Sequence, residues 1–272
     1  MNFFDNELVK TALDQDFAFI KIKVEDHVLT LTLDRPEKKN AIHPHMVQEI
    51  AFVLQFAKQN NAIRAIIVDA NGNVFCAGAD LKAFMGMVGE FESSIPQSNL
   101  EILIGELFQK VHKPVITKVK GNVMAGGFFF LTGANYVVCD EEVTLGLPEV
   151  KRGLFPFQVM ASLLEVMPKR IVIDWCIRGY DMPVNKALDH GLVTHVVSRE
   201  DLDKTVDGLL NTIVENSPTA IRLGLEALDM ISAQESKHQF LMQMLQKTVS
   251  SKDGQEGLLA FREKRKPVWT GE

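Results

Sequence analysis

Near the start of the chain, apolar and polar residues alternate in a pattern that predicts extended structure. Phe17 to Val24 and Val28 to Leu33 are β-rich runs that flank the polar turn Glu25-Asp26-His27. In the second run Leu29, Leu31 and Leu33 alternate with Thr30 and Thr32, so one face of the strand is buried. Arg35-Pro36 ends it. From Met46 to Asn60 the apolar positions Val47, Ile50, Ala51, Val53, Leu54 and Ala57 recur at helical spacing. Ala65 to Val68 is a short buried strand, closed by the turn Asn71-Gly72-Asn73. Strand, helix, strand in that order predicts a βαβ crossover with parallel pairing.

Phe75 to Asp80 reads as a turn, and Leu81 to Met87 begins a helix. Gly86 to Gln97 is polar and contains glycine, the pattern of a mobile loop over a pocket. Leu100 to Val111 reads as helix and Val115 to Val119 as strand. Val143 to Leu147 is a second extended run, and Gly153 to Phe157 is a loop. Helices follow at Val159 to Val166, Ile171 to Ile177 and Asn185 to His190, then a last strand at Leu192 to Val197. Beyond about Arg199 the pattern is helical throughout: Asp201 to Val214, Ala220 to Ser232, His238 to Ser250 and Glu256 to Lys264. This change divides the chain into a mixed α/β core, residues 1–198, and a C-terminal helical region, residues 199–272.

The 272 residues suit one large α/β domain, or one domain with a small appendage. The net charge of −6 carries no basic stripe, which argues against a nucleic-acid partner. No apolar run reaches membrane-spanning length. Met1 to Asp5 has no basic start followed by a long apolar core, so no signal peptide is expected. Cys76, Cys139 and Cys176 sit in apolar runs and read as reduced core residues. The expected location is cytoplasmic. The histidines at 43, 45, 112, 190, 195 and 238 have no metal-ligand spacing, and His43 and His45 read as loop residues.

The stretch from Lys113 to Gly153 holds the candidate chemistry. A strand leads through Gly121 to Ala125-Gly126-Gly127 and then to the apolar run Phe128 to Thr132. Small residues at a helix start leave bare N–H groups that can hold an oxygen gaining negative charge. Further on, Glu149 follows Pro148 among Leu145, Leu147 and Val150. Burial there would raise its pKa toward a range useful for proton transfer. Glu141 and Glu142 read as solvated turn acids, Asp69 as a strand-end acid, and Asp80 as a helix cap.

Taken together, these segments resemble the crotonase superfamily, the enoyl-CoA hydratase/isomerase family. The matching pieces are Asp34-Arg35-Pro36 with Asn40-Ala41, Phe75 to Lys82, Lys113-Pro114-Val115 with Gly121, Ala125-Gly126-Gly127, and Gly146 to Glu149 with Gly153. Gly191-Leu192-Val193 and Phe261 to Pro267 also fit, so the resemblance covers nearly the whole chain in order. It implies a β-β-α spiral core with C-terminal helices that mediate a trimer or a dimer of trimers. It implies an acyl-CoA substrate, with coenzyme A as part of the substrate and no separate cofactor. By resemblance, the N–H groups of Ala79 and Gly126 form an oxyanion hole and Glu149 is the acid/base. Ala77, Leu81 and Lys82 are candidates for holding coenzyme A. Lys264 and Lys266 either meet its phosphates or form a solvated basic tail. Phe84, Met85, Phe128, Phe129, Phe155 and Phe157 either line an acyl pocket or pack the core.

Two positions depart from the family pattern. Its hydratases carry a second glutamate two residues after the Gly-Gly pair, and here that residue is Phe129. Asn135 replaces an aspartate, a change expected to affect local hydrogen bonding. With a single carboxylate, isomerisation of a 3-enoyl to a 2-enoyl thioester is the favoured expectation. Hydration of a specialised enoyl-CoA is the main alternative. Decarboxylation of a carboxyacyl-CoA and non-catalytic acyl-CoA binding follow. Chain length, and coenzyme A against a carrier-protein thioester, stay open.

Overall fold

The computed structural model describes residues 1–87, 89–232, 242–243, 245–246 and 249–268. Strands β1 (Ile20–Glu25) and β2 (Val28–Leu33) pair antiparallel in full register. They are joined through Asp26 and His27, which both take positive φ, 44° and 68°. Left-handed backbone at both turn positions matches the right-handed twist of the flanking strands. The predicted crossover is present: β2 runs parallel to β3 (Ala65–Ala70) and the helix Pro44–Gln59 connects them. With β5 (Val115–Val119), β7 (Tyr136–Asp140) and β10 (His195–Val197) these strands form a six-stranded sheet, in the order β1-β2-β3-β5-β7-β10. Leu29, Leu31 and Leu33 face the main core with the long helix, as the alternation predicts. The other face is covered by the helix Leu202–Glu215, whose Leu202, Val206, Leu210 and Ile213 pack on Ala65, Ile116 and Val138.

A second sheet of four three-residue strands positions the candidate site. Its order is β4 (Val74–Cys76), β6 (Asn122–Met124), β8 (Thr144–Gly146) and β9 (Asp181–Pro183). Strands β4, β6 and β8 are parallel, so their C-terminal ends share one edge. From that edge the chain runs on to Ala79, to Gly126 and to Glu149. The sequence pattern reads only β8 as extended. It assigns β4 to a turn and passes over β6 and β9.

Several expectations are corrected. The helix expected at Leu100 to Val111 is only the turn Ile104–Leu107 followed by a 3-10 turn, Gln109–Val111. The segment 86–97 is not simply a polar loop: Ile95 is buried, the Ser93 hydroxyl donates to Glu49, and the Asp16 N–H donates to the Ser94 hydroxyl. His43 and His45 are not exposed loop residues. His43 caps the long helix by accepting from the His45 N–H, and both rings are buried against Phe91. Asn135 accepts a hydrogen bond from the Val115 N–H, the local role expected for it. The helix expected at His238 to Ser250 lies largely outside the described residues, His238 included. Among the described residues no helix is long and apolar enough to cross a membrane.

Candidate active site

Ala79 is held in an isolated parallel bridge with Ile42. The Ile42 N–H donates to the Gly78 carbonyl at 2.8 Å, and the Asp80 N–H donates to the Ile42 carbonyl at 2.9 Å. Parallel pairing of this kind engages the residues on either side of Ala79 and turns its own N–H away from Ile42. On that side lies Gly126. A Cβ built on Gly126 would stand 3.6 Å from the Ala79 nitrogen and 3.4 Å from Ile42 Cδ1. Gly126 is the second residue of the 3-10 turn Ala125–Phe128. The first N–H groups of such a turn have no partner within it. Two backbone donors are thus brought side by side.

The close approach depends on backbone at two points. Ala125 takes φ +50°, which starts the turn abruptly after β6. Gly78, at φ +89°, passes so near that a Cβ would sit 2.6 Å from Ala125 Cβ. No other residue type satisfies both the positive φ and the contact at Gly78.

The Asp34-Arg35-Pro36 and Asn40-Ala41 motifs form the support behind Ala79. The Asn40 side chain is fully buried. It accepts from the Arg35 N–H at 2.8 Å and donates to the carbonyls of Asn71 and Val74 at 2.8 and 2.9 Å. Arg35 reaches Asp80 Oδ2 at 2.8 Å and the Ala41 carbonyl at 3.0 Å. Asp80 also caps the short helix Leu81–Phe84 through the Ala83 N–H, the role expected of it.

Glu149 opens the 3-10 turn Glu149–Arg152, three residues beyond Gly146. Gly146 is the register partner of Met124, which lies two residues before Gly126. The Oε2 of Glu149 is buried and has no hydrogen-bond partner. Burial pushes its pKa up from 4.5 to about 7, while its own backbone N–H and the Arg152 charge pull the other way. A carboxyl in this range can take and return a proton near neutral pH. The Cys176 thiol, on the helix Lys169–Arg178, is raised to about 12 by its burial and by the Glu149 charge. Phe129, at the position of the family's second glutamate, is buried, with Cε2 3.6 Å from the Cβ position on Gly126. The paired strands β6 and β8 thus lead to an apolar ring beside Gly126 and to an ionisable carboxyl at Glu149.

Ala77, Leu81 and Lys82 lie within three residues of Ala79, and the Ala77 N–H donates to the Lys39 carbonyl. Lys264 is the left-handed C-cap of the helix Lys252–Glu263, and both it and Lys266 are exposed. That helix packs on the Glu149 turn. Phe128 belongs to the core, edge-on to Trp175 with centroids 5.0 Å apart, whereas Phe84 and Met85 are exposed. Phe155 and Phe157 pack on each other at 5.1 Å. Sequence reasoning missed Ile42, Arg152 and Gly257 as neighbours of the site residues. The visible signal for Gly257 was a repeated glycine, Gly254 and Gly257, inside a helical stretch.

A model of the enoyl-CoA hydratase/isomerase family matches residues 23–272. The chain is 32% identical over 248 residues to the mevalonyl-coenzyme A hydratase of Aspergillus fumigatus, covering 89% of this chain and 91% of that one. It is also 32% identical over 256 residues to the carnitinyl-CoA dehydratase of Escherichia coli K12, covering 90% of this chain and 95% of that one. The crystal structure of carnitinyl-CoA hydratase from Mycobacterium avium superposes with a TM-score of 0.80 at 26% identity, over 94% of this chain and all of that one. The two mixed sheets and C-terminal helices are those of the crotonase fold, and the chain belongs to the enoyl-CoA hydratase/isomerase family.

Proposed function

We propose that this chain moves a proton at the carbon next to an acyl-CoA thioester carbonyl and, in doing so, adds or removes water across the C2–C3 bond. The observation that carries the proton transfer is the pairing of a carboxyl near pKa 7, whose Oε2 is buried without a hydrogen-bond partner, with two adjacent backbone donors. In the dehydration direction, Glu149 as carboxylate takes the C2 proton. The thioester oxygen gains charge and is held by the N–H groups of Ala79 and Gly126. One such donor is commonly worth ~3–4 kcal/mol to the transition state. Glu149, now protonated, returns that proton to the departing hydroxyl as water, leaving the enoyl thioester. Hydration is the same path reversed. The hydratase and dehydratase names of the relatives at 32% identity support water chemistry over the isomerisation favoured by the inventory of carboxylates.

Phe129 favours a second reading. An apolar ring beside Gly126 cannot hold a water molecule, which suits double-bond migration from C3–C4 to C2–C3, with Glu149 taking a proton from C2 and returning it at C4. Ala77, Leu81 and Lys82 are proposed to hold coenzyme A, with Lys264 at its phosphates. A homotrimer or dimer of trimers is part of the proposal. The test is a paired assay on 2-enoyl-CoA and 3-enoyl-CoA of several acyl types, following hydration and migration separately. Hydration abolished in Glu149→Gln supports the first reading. Migration without hydration would replace it with the second, and turnover untouched by the substitution would remove both.

A further inference from the structure

The helix Lys252–Glu263 lies on the turn that carries Glu149, and its contact face is cut to fit that turn. Gly257 is pressed against Arg152 and Gly153. A Cβ there would come 3.0 Å from Gly153 Cα and closer still to the Arg152 carbonyl. Gly254 and Ala260, one turn to either side, are buried with it. Just beyond, the Arg152 guanidinium lies over the Phe261 ring, 4.8 Å from its centroid. Phe261 is 56% exposed, so its ring is not there to fill a core. A cation over an aromatic face is attracted by the ring quadrupole, and the contact fixes where the charge sits.

Arg152 closes the 3-10 turn that Glu149 opens, three residues on, and side chains at that spacing in such a turn lie one above the other, so its charge favours the ionised form of the carboxyl. Other titratable groups on the elements around the turn are placed differently. Lys151 is exposed. Glu256 is held by Arg265 in a two-pronged pair at 2.6 and 2.8 Å, and Arg262 is exposed. From the helix Lys169–Arg178, Cys176 faces the carboxyl as a neutral thiol.

We propose that the C-terminal helix is a positioning element for Glu149: Gly257 seats the backbone of its turn, and Phe261 holds the Arg152 charge at a fixed place beside the carboxyl. Phe261 and Arg152 then act as one unit. The inference rests on the reading of Glu149 as the acid/base for its catalytic meaning, but the electrostatic link can be measured without turnover. The experiment is a titration by carbon NMR of the full chain labelled at glutamate carboxyls, with Glu149→Gln identifying the Glu149 signal. It compares wild type with R152Q, F261A, F261W and the double variant R152Q/F261A. Removing the cation raises the Glu149 midpoint, by less than the ~1–3 pH units that an adjacent opposite charge commonly supplies. F261A releases the guanidinium to water and moves the midpoint in the same direction by a smaller amount, while F261W keeps it at the wild-type value. F261A adds nothing once Arg152 is gone. If F261A leaves the midpoint where it is, or adds in full to R152Q, the proposal is overturned. The acid limb of kcat/KM moves to higher pH in step with the NMR midpoint if Glu149 is the base. An NMR shift with no movement of that limb would refute the catalytic reading and leave the electrostatic link standing.

Discussion

Glu149→Gln should change how the stability of this protein depends on pH, before any substrate is added. The carboxyl titrates at its ordinary 4.5 in an open chain and at about 7 in the fold, chiefly because it is buried. Between those values the folded chain holds a proton that the unfolded chain has released. The stability tied to this group is therefore fully present below about pH 4.5 and is lost as the pH rises through about 7. At ~1.4 kcal/mol per pH unit, the loss amounts to ~3 kcal/mol by pH 8. The glutamine variant has no proton to release and loses nothing over this range. A constant offset from its buried amide is the same at every pH. Urea unfolding of both chains at pH 4, 5, 6, 7 and 8 gives a difference curve in which all other titrating groups cancel. The variant should gain ~3 kcal/mol on wild type between pH 4 and pH 8, with the rise centred between 4.5 and 7. A flat difference would mean that Glu149 ionises as an ordinary carboxylate, and the acid/base argument would fail with it.

Two further outcomes follow from the geometry. Gly126→Ala should fold normally, because its methyl meets Ile42, the Ala79 nitrogen and Phe129 at 3.4–3.6 Å, which is ordinary contact. The methyl, 3.6 Å from the Ala79 nitrogen, would crowd the approach to that donor, so kcat/KM should fall by ~10²–10³-fold, the usual cost of losing one oxyanion donor, while the urea midpoint stays close to wild type. Asn40→Ala should do the reverse. It leaves the Asn71 and Val74 carbonyls and the Arg35 N–H without the buried amide that joins them, at a cost of ~3 kcal/mol in urea unfolding.

Most of the first sheet was legible because its signals are local, although β7 (Tyr136–Asp140) was not read as a strand. Leu29, Leu31 and Leu33 declare a face, the apolar repeat from Val47 to Ala57 declares a helix, and their order implies the parallel crossover that is present. The second sheet was mostly illegible for the opposite reason. Three-residue strands such as Asn122–Met124 and Asp181–Pro183 are too short to establish a period of two, and only pairing defines them. Tertiary packing also turned residues read as loop into core: His43 and His45, at the start of the long helix, are polar in sequence yet packed under Phe91. The loop expected at 86–97 owes its anchoring to contacts with residues far off in the chain, among them Glu49 and Asp16. The candidate site residues came from family resemblance, since neither Ala79 nor Glu149 stands out on local pattern. What the coordinates add is proximity. The contact between Gly126 and the Ala79 nitrogen joins positions 47 residues apart, and the Gly257 seat on Arg152 joins positions 105 apart. No periodicity reports either contact.

Exchange of the C2 protons of a saturated acyl-CoA in D2O isolates proton transfer beside the thioester from any later addition or migration. Mass spectrometry of the thioester after incubation with wild type, Glu149→Gln and Gly126→Ala is sufficient. Deuterium is expected at C2 with wild type and none above background with either variant. Exchange that persists in Glu149→Gln would contradict it, since another group would then be moving the proton.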